Sequence, residues 1–75
     1  MNIYDKTFIK NFTVLRKKSK LTQDKIAESI GVKRSNIGSW EEFRSCIPIE
    51  IKFVICKYFD VGFENMHFTL EPVES

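Results

Sequence analysis

The sequence predicts an all-α domain built from about five short helices. Apolar residues recur three or four positions apart, as in Phe8, Phe12 and Leu15, which is the spacing of one helix face. Gly31 and Pro48 stand between such segments, where glycine commonly ends a helix and proline suits the first turn of the next. No segment shows a convincing alternation of apolar and polar residues, which would indicate a strand.

The apolar pattern places the helices over residues 7–19, 22–30, 33–42, 49–59 and 63–67. Asp5 or Thr7 is expected to cap the first helix, and the hydroxyl of Thr22 to accept from a free backbone N–H at the start of the second. Residues 1–68 are expected to form one domain, followed by a C-terminal tail over residues 69–75.

Composition favours a small globular protein that acts inside the cell. The chain has 75 residues, of which 43% are apolar, and no apolar run approaches the roughly 20 residues of a membrane span. Asp5 and Lys6 come too early for a signal peptide, so a cytoplasmic location is expected. Cys46, Cys56 and His67 do not have the spacing of a zinc or redox site, so neither a metal nor another cofactor is expected.

The charge is divided unevenly along the chain. Residues 1–40 contain nine Lys or Arg and three Asp or Glu, whereas residues 41–75 contain three basic and seven acidic residues. This division is typical of a protein with one face turned toward a polyanion. Charge alone does not decide the matter, because basic residues also favour the C-terminal ends of helices.

Residues 22–41 have the pattern of two helices that cross steeply through a tight turn. Ala27 allows close helix crossing, and Gly31 can adopt the left-handed conformation that ends the second helix. Val32 can fill the bend, while Ile37 and Trp40 anchor one face of the third helix. The opposite face of the third helix is then free to enter a DNA major groove.

Residues 11–66 resemble the Cro/CI-type helix-turn-helix domains of phage repressors and XRE-like bacterial regulators. The resemblance is carried by LRKKSKLTQDKIAESIGVKRSNIGSWEE (residues 15–42) and by CKYFDVGFENM (residues 56–66). It implies a five-helix, lambda-repressor-like fold, a bacterial or phage origin and double-stranded DNA as the partner.

By this resemblance, the N-terminal turns of the third helix read DNA bases. The matching residues are Lys33, Arg34, Ser35 and Ser39. Arg34 is the strongest candidate, because a guanidinium can bond both major-groove acceptors of guanine. An ordinary solvated helix face would have a similar composition.

The resemblance also implies contacts with the DNA backbone. The family match gives Gln23, and the start of the second helix adds Thr22. The further candidates are the cations Lys25 and Arg44, and Asn36, which could serve either a base or the backbone. Lys33 stands where Ser or Thr often caps the third helix, and Phe43 where a glycine often ends it. The following loop, residues 44–47, keeps one cation where relatives often carry several phosphate-binding residues, which predicts modest affinity per monomer. In the same family, residues matching Arg16 and Glu41 form an ion pair, so Arg16 is expected to be mainly structural.

The fourth helix carries more apolar residues than one buried face requires. Its expected core face consists of Ile49, Phe53, Cys56 and Phe59. The remaining apolar surface predicts a homodimer. Its candidate contacts are Ile51, Val54, Tyr58, Met66 and Phe68. Alternatively, the tail folds back and covers the fourth helix.

Catalysis is not expected, because the sequence offers no nucleophile–base pair, no phosphate-binding glycine loop and too little chain for a pocket. No small-molecule ligand is predicted for the same reason. The alternative to a DNA-binding regulator is a protein-interaction module with the same fold, such as an antitoxin or a repressor antagonist.

Overall fold

The computed structural model describes residues 1–68, which form five α-helices and no strand. The helices are α1 (Ile3–Lys18), α2 (Gln23–Ile30), α3 (Arg34–Glu41), α4 (Ile49–Phe59) and α5 (Asn65–Phe68). The prediction of an all-α fold is therefore confirmed. None of these helices is long and apolar enough to cross a membrane. The predicted tail, residues 69–75, lies outside the described residues.

The first helix begins earlier than the sequence pattern predicted. Asn2 is its N-cap, and the Asn2 Oδ1 atom accepts a hydrogen bond of 2.8 Å from the backbone N–H of Asp5. The prediction that Asp5 or Thr7 caps the helix is wrong, because both lie within it. Ile3 and Tyr4 are exposed, so the apolar residues of the first turn do not continue the buried face of α1, and the apolar spacing did not reveal this turn.

The turn between α2 and α3 has the predicted construction. Thr22 Oγ1 accepts from the backbone N–H of Lys25 at 3.1 Å, which caps α2. Gly31 ends α2 with a φ of 76°, and the N–H of Val32 bonds the Ala27 carbonyl at 2.9 Å. Such a left-handed residue is cheap only for glycine, which explains why α2 ends there.

One hydrophobic core joins all five helices. Its fully buried side chains include Phe8, Phe12, Ile26, Ile37, Ile55 and Met66. The short α5 lies against α1, where the Asn11 side-chain amide donates to the Met66 carbonyl at 3.1 Å. This contact positions the C-terminal end of the fold over the first helix.

The α4 helix packs on a different face from the one predicted. Lys52, Ile55 and Cys56 are buried, whereas Ile49 and Phe53 are 58% and 55% exposed. Eight of the eleven α4 residues are apolar, so periodicity alone does not select a face. The expected core face was correct for Cys56 and for the half-buried Phe59 and wrong for Ile49 and Phe53.

Lys52 is buried because it has partners on two other helices. Its Nζ atom lies 2.6 Å from Asp5 Oδ1 and 2.9 Å from His67 Nε2. The carbonyl of Phe63 only accepts, so His67 Nδ1, 2.8 Å from that oxygen, carries the proton. His67 Nε2 is then the acceptor for the Lys52 ammonium. We call Asp5, Lys52 and His67 the polar cluster.

The α5 helix begins two residues later than predicted, because Phe63 and Glu64 form a turn. Both cysteines are free thiols. Cys46 is exposed in the loop and Cys56 is buried, where loss of solvent raises the pKa of its thiol.

Candidate nucleic-acid interface

The α3 helix presents one face to the core and the opposite face to solvent. Ile37 and Trp40 are buried, and Trp40 packs edge-on against Phe12 at a ring distance of 6.5 Å. Arg34 and Ser35 are exposed on the first turn. The core contacts therefore hold α3 so that its N-terminal turn faces outward, as a major-groove reading helix requires.

Arg34 forms an exposed ion pair with a carboxylate of the preceding helix. Its Nε atom lies 3.4 Å from Oδ1 of Asp24, and both side chains are well exposed. An exposed ion pair of this length holds a side chain only weakly, so the guanidinium, with its two terminal nitrogens, can turn toward a ligand. Those nitrogens can form the two parallel hydrogen bonds that recognise guanine.

The other residues predicted to read bases differ in exposure and in hydrogen-bond partners. Lys33 is exposed at the N-cap of α3 and makes no side-chain cap hydrogen bond, as its departure from the family pattern predicted. Ser35 and Asn36 are exposed. Ser39 is half-buried, and its hydroxyl lies 2.8 Å from that of Ser45, so the loop after α3 already engages it.

Gly38 is a candidate that the sequence analysis did not identify. It lies on α3 between the exposed first turn and Ser39, and a Cβ atom placed there would meet no heavy atom within 4 Å. Packing inside the protein therefore does not require glycine, although glycine destabilises a helix by about 1 kcal/mol relative to alanine. The available signal was a glycine inside a helix, at a position next to the core-facing Ile37.

Arg16, Gln23 and Glu41 form a hydrogen-bonded network that joins α1, α2 and α3. The guanidinium of Arg16 bonds both carboxylate oxygens of Glu41, at 2.8 and 3.0 Å, and also the Leu21 carbonyl at 2.8 Å. Gln23 Nε2 donates to Glu41 Oε1 at 3.0 Å. Arg16 is buried, so its charge serves the fold, and Gln23 supports the third helix from α2.

The remaining candidates for backbone contact are partly engaged by acidic neighbours. Lys25 Nζ lies 3.7 Å from Glu28 Oε1, and Arg44 Nη2 lies 2.6 Å from Glu42 Oε1. Thr22 is exposed at the start of α2, where free backbone N–H groups favour a phosphate. These acidic partners reduce the positive potential available to a phosphate backbone.

The residues predicted at a dimer interface do not share one surface. Met66 is fully buried, so its assignment to a dimer contact is wrong. Ile51 is half-buried against the core. Val54 and Tyr58 are exposed on α4, whereas the exposed Phe68 lies against Tyr4 of α1 with ring centroids 5.2 Å apart.

Comparison with known proteins agrees with this geometry. The helix-turn-helix family model HTH_3 matches residues 14–65, which include the whole of α2, α3 and α4. Searches of curated proteins and of solved structures found no match. The chain therefore belongs to the Cro/CI-type (XRE) helix-turn-helix family of DNA-binding regulators.

Proposed function

We propose that the chain is a small transcriptional regulator, of repressor type, that binds a specific sequence of double-stranded DNA through α3. The observation that carries this proposal is the outward N-terminal turn of α3. There Arg34 is exposed in an ion pair with Asp24, 3.4 Å from Nε to Oδ1, and its guanidinium is accessible to a base. Lys33 and Ser35 are exposed beside it and supply further candidate base contacts.

Gly38 extends this candidate surface along α3. A glycine with open space beyond its Cα lets a groove wall approach the helix backbone more closely than any side chain would. Ser39, held by Ser45, supplies a hydroxyl at the next position. Gly38 and Ser39 therefore support the proposal that the second turn of α3, as well as the first, lies near the bases.

Backbone contacts are proposed for Thr22, Gln23, Lys25, Asn36 and Arg44. Among these, Lys25 and Arg44 must exchange a carboxylate for a phosphate, since each has an acidic partner in the free protein. Such exchanges release fewer net counterions than contacts from unpaired cations. We therefore expect one domain to bind weakly, and we propose a homodimer on a palindromic site, which doubles the number of contacts.

The test is a DNA selection followed by affinity measurements across salt concentrations. Random duplexes are selected with the natural chain, and binding to the enriched site is measured by fluorescence anisotropy at increasing salt. Binding that weakens steeply with salt is expected. The Arg34→Ala variant is expected to lose discrimination at one base pair of each half-site, at about 1–3 kcal/mol, while retaining non-specific binding.

The matched control is Lys6→Ala. Lys6 lies on α1 about ten residues, or roughly 15 Å, from Arg16, the residue that joins α1 to α3. Its removal also deletes one exposed cation, but it should change discrimination at no base pair. A chain that enriches no sequence and binds duplexes without salt dependence would contradict the proposal and favour a protein-interaction module.

A further inference from the structure

The α4 helix has an exposed stripe on the side opposite its buried face. The stripe consists of Ile49, Glu50, Phe53, Val54, Lys57 and Tyr58. The four large apolar members are between 42% and 58% exposed. A contiguous apolar surface of this kind is typical of an interface rather than of a solvated helix.

The charged members of the stripe have no ion-pair partner among residues 1–68. Glu50 and Lys57 lie seven positions apart, which is two helical turns, and therefore share one side of α4. Within the described part of the chain, the stripe thus carries one unpaired charge of each sign, placed symmetrically about its apolar centre along the helix.

This arrangement is self-complementary under a two-fold rotation. If the axis passes between Phe53 and Val54, perpendicular to α4, a second helix runs antiparallel and position 50 lies level with position 57 of the second copy. Each Glu50 then faces Lys57 of the second copy, and the two ion pairs form at once. Phe53 and Val54 lie on opposite sides of the seam, so each meets its own equivalent across the axis.

We propose that the occupant of this stripe is a second copy of the chain, with the two α4 helices packed antiparallel about that axis. The surface rests on the homodimer of the proposed function and specifies its contacts. It includes Val54 and Tyr58 from the sequence-based candidates and leaves out Ile51, Met66 and Phe68. One helix face per partner buries less than a standard interface, so we expect a dissociation constant on the order of 10–100 µM.

The experiment is sedimentation equilibrium of the full chain without DNA, up to about 500 µM. The natural chain is expected to form a dimer. Glu50→Lys and Lys57→Glu each convert two attractive pairs into two repulsive ones, and each is expected to weaken association by about tenfold. The double variant, Glu50→Lys with Lys57→Glu, restores both pairs and should associate within about threefold of the natural chain.

An equimolar mixture of the two single variants provides a second rescue, because their heterodimer pairs each lysine with a glutamate. Lys6→Glu makes the same change in net charge as Lys57→Glu but lies on α1, and it should leave association unchanged. Circular dichroism verifies that each variant is folded. Together these variants separate specific pairing from a general effect of charge.

Three results would overturn the proposal. The natural chain could remain monomeric throughout, as it would if residues 69–75 covered α4. The single variants could associate as well as the natural chain, or the double variant could fail to restore association. Because DNA is absent, a monomer that still selects a DNA sequence would overturn this interface and leave DNA binding through α3 standing. A dimer that binds no DNA would overturn the DNA binding of the proposed function and leave this interface standing.

Discussion

Arg16 illustrates how one side chain can differ in role from its neighbours in sequence. It begins the most basic run of the chain, together with Lys17 and Lys18, but it is buried and directs its donors to Glu41 and the Leu21 carbonyl. Its positive charge is neutralised by Glu41 within the fold. The positive charge available to DNA is therefore smaller than the residue count of the N-terminal half implies.

The first prediction concerns the Arg16–Glu41 ion pair. Arg16→Ala leaves a buried carboxylate with only Gln23 as its partner, and should reduce the free energy of unfolding by about 3–5 kcal/mol. Lys17→Ala, which removes an exposed cation from the adjacent position, should change it by less than about 0.5 kcal/mol. Urea unfolding of both variants measures the difference, and equal losses would argue against a structural role for Arg16.

The second prediction concerns Gly38, for which stability and DNA binding should change in opposite directions. Gly38→Ala should stabilise α3 by up to about 1 kcal/mol, because alanine has the higher helix propensity and its Cβ meets open space. The same methyl group should weaken binding to the selected DNA site if a groove wall approaches there. Thermal unfolding and anisotropy test the two effects. Unchanged DNA affinity would mean that α3 does not approach DNA at Gly38.

At the level of the single helix, α4 shows that apolar periodicity does not predict the buried face when most of the residues are apolar. The buried face is determined by contacts with the rest of the chain. Ile55 and Cys56 pack against core side chains, and the Lys52 ammonium pairs with the Asp5 carboxylate. A lysine can be buried when its charge is paired and its methylene groups pack, here with Nζ 5.1 Å from the Phe8 ring centroid.

The third prediction compares two identical substitutions on the two sides of α4. Ile55→Ala removes a fully buried side chain and should cost about 2–5 kcal/mol of unfolding free energy. Ile49→Ala removes the same atoms from a side chain that is 58% exposed, and should cost less than about 1 kcal/mol. Chemical denaturation at concentrations far below the dimer dissociation constant provides the comparison. The reverse order would contradict the face described for α4.

At the scale of the whole molecule, the polar cluster joins segments that are distant in sequence. Asp5 belongs to α1, Lys52 to α4 and His67 to α5, and the exposed thiol of Cys46 lies 3.7 Å from Asp5 Oδ2. The cluster closes the fold at the end of α1 opposite to Arg16. Two charged networks, one at each end of α1, thus hold the other helices on the first.

The fourth prediction follows from the ionisation of Asp5. The hydrogen bond from Lys52 holds the pKa of this carboxyl below its ordinary value of 3.8. The folded state therefore binds the proton less readily than the unfolded chain. The ion pair contributes stability that is fully present above about pH 4 and is lost as the pH falls from there through the lower pKa of the folded state. Urea unfolding of the natural chain and of Asp5→Asn at about pH 6 and about pH 3 tests this. The stability difference between the two proteins should shrink at the lower pH, and a constant difference would contradict the assignment.

The sequence by itself determined the all-α fold, the position of the helix-turn-helix and the family. These features depend on local signals: Thr22 caps α2 through its own first turn, and Gly31 ends α2 because its backbone reaches a left-handed φ. The Arg16–Glu41 pair was also predictable, but only from the family resemblance, because the two residues lie 25 positions apart.

Tertiary structure alone decided the buried face of α4, the burial of Lys52 and the division of the apolar C-terminal half into core and surface. Each depends on a partner far away in the chain, such as Asp5 for Lys52, and no local periodicity reports such a partner. In α3, Arg34 contacts Asp24 of the preceding helix and Ser39 contacts Ser45 of the following loop, and the spacing of apolar residues does not predict these contacts either. Sequence therefore located α3, the helix proposed to contact DNA bases, and packing determined which of its side chains are exposed.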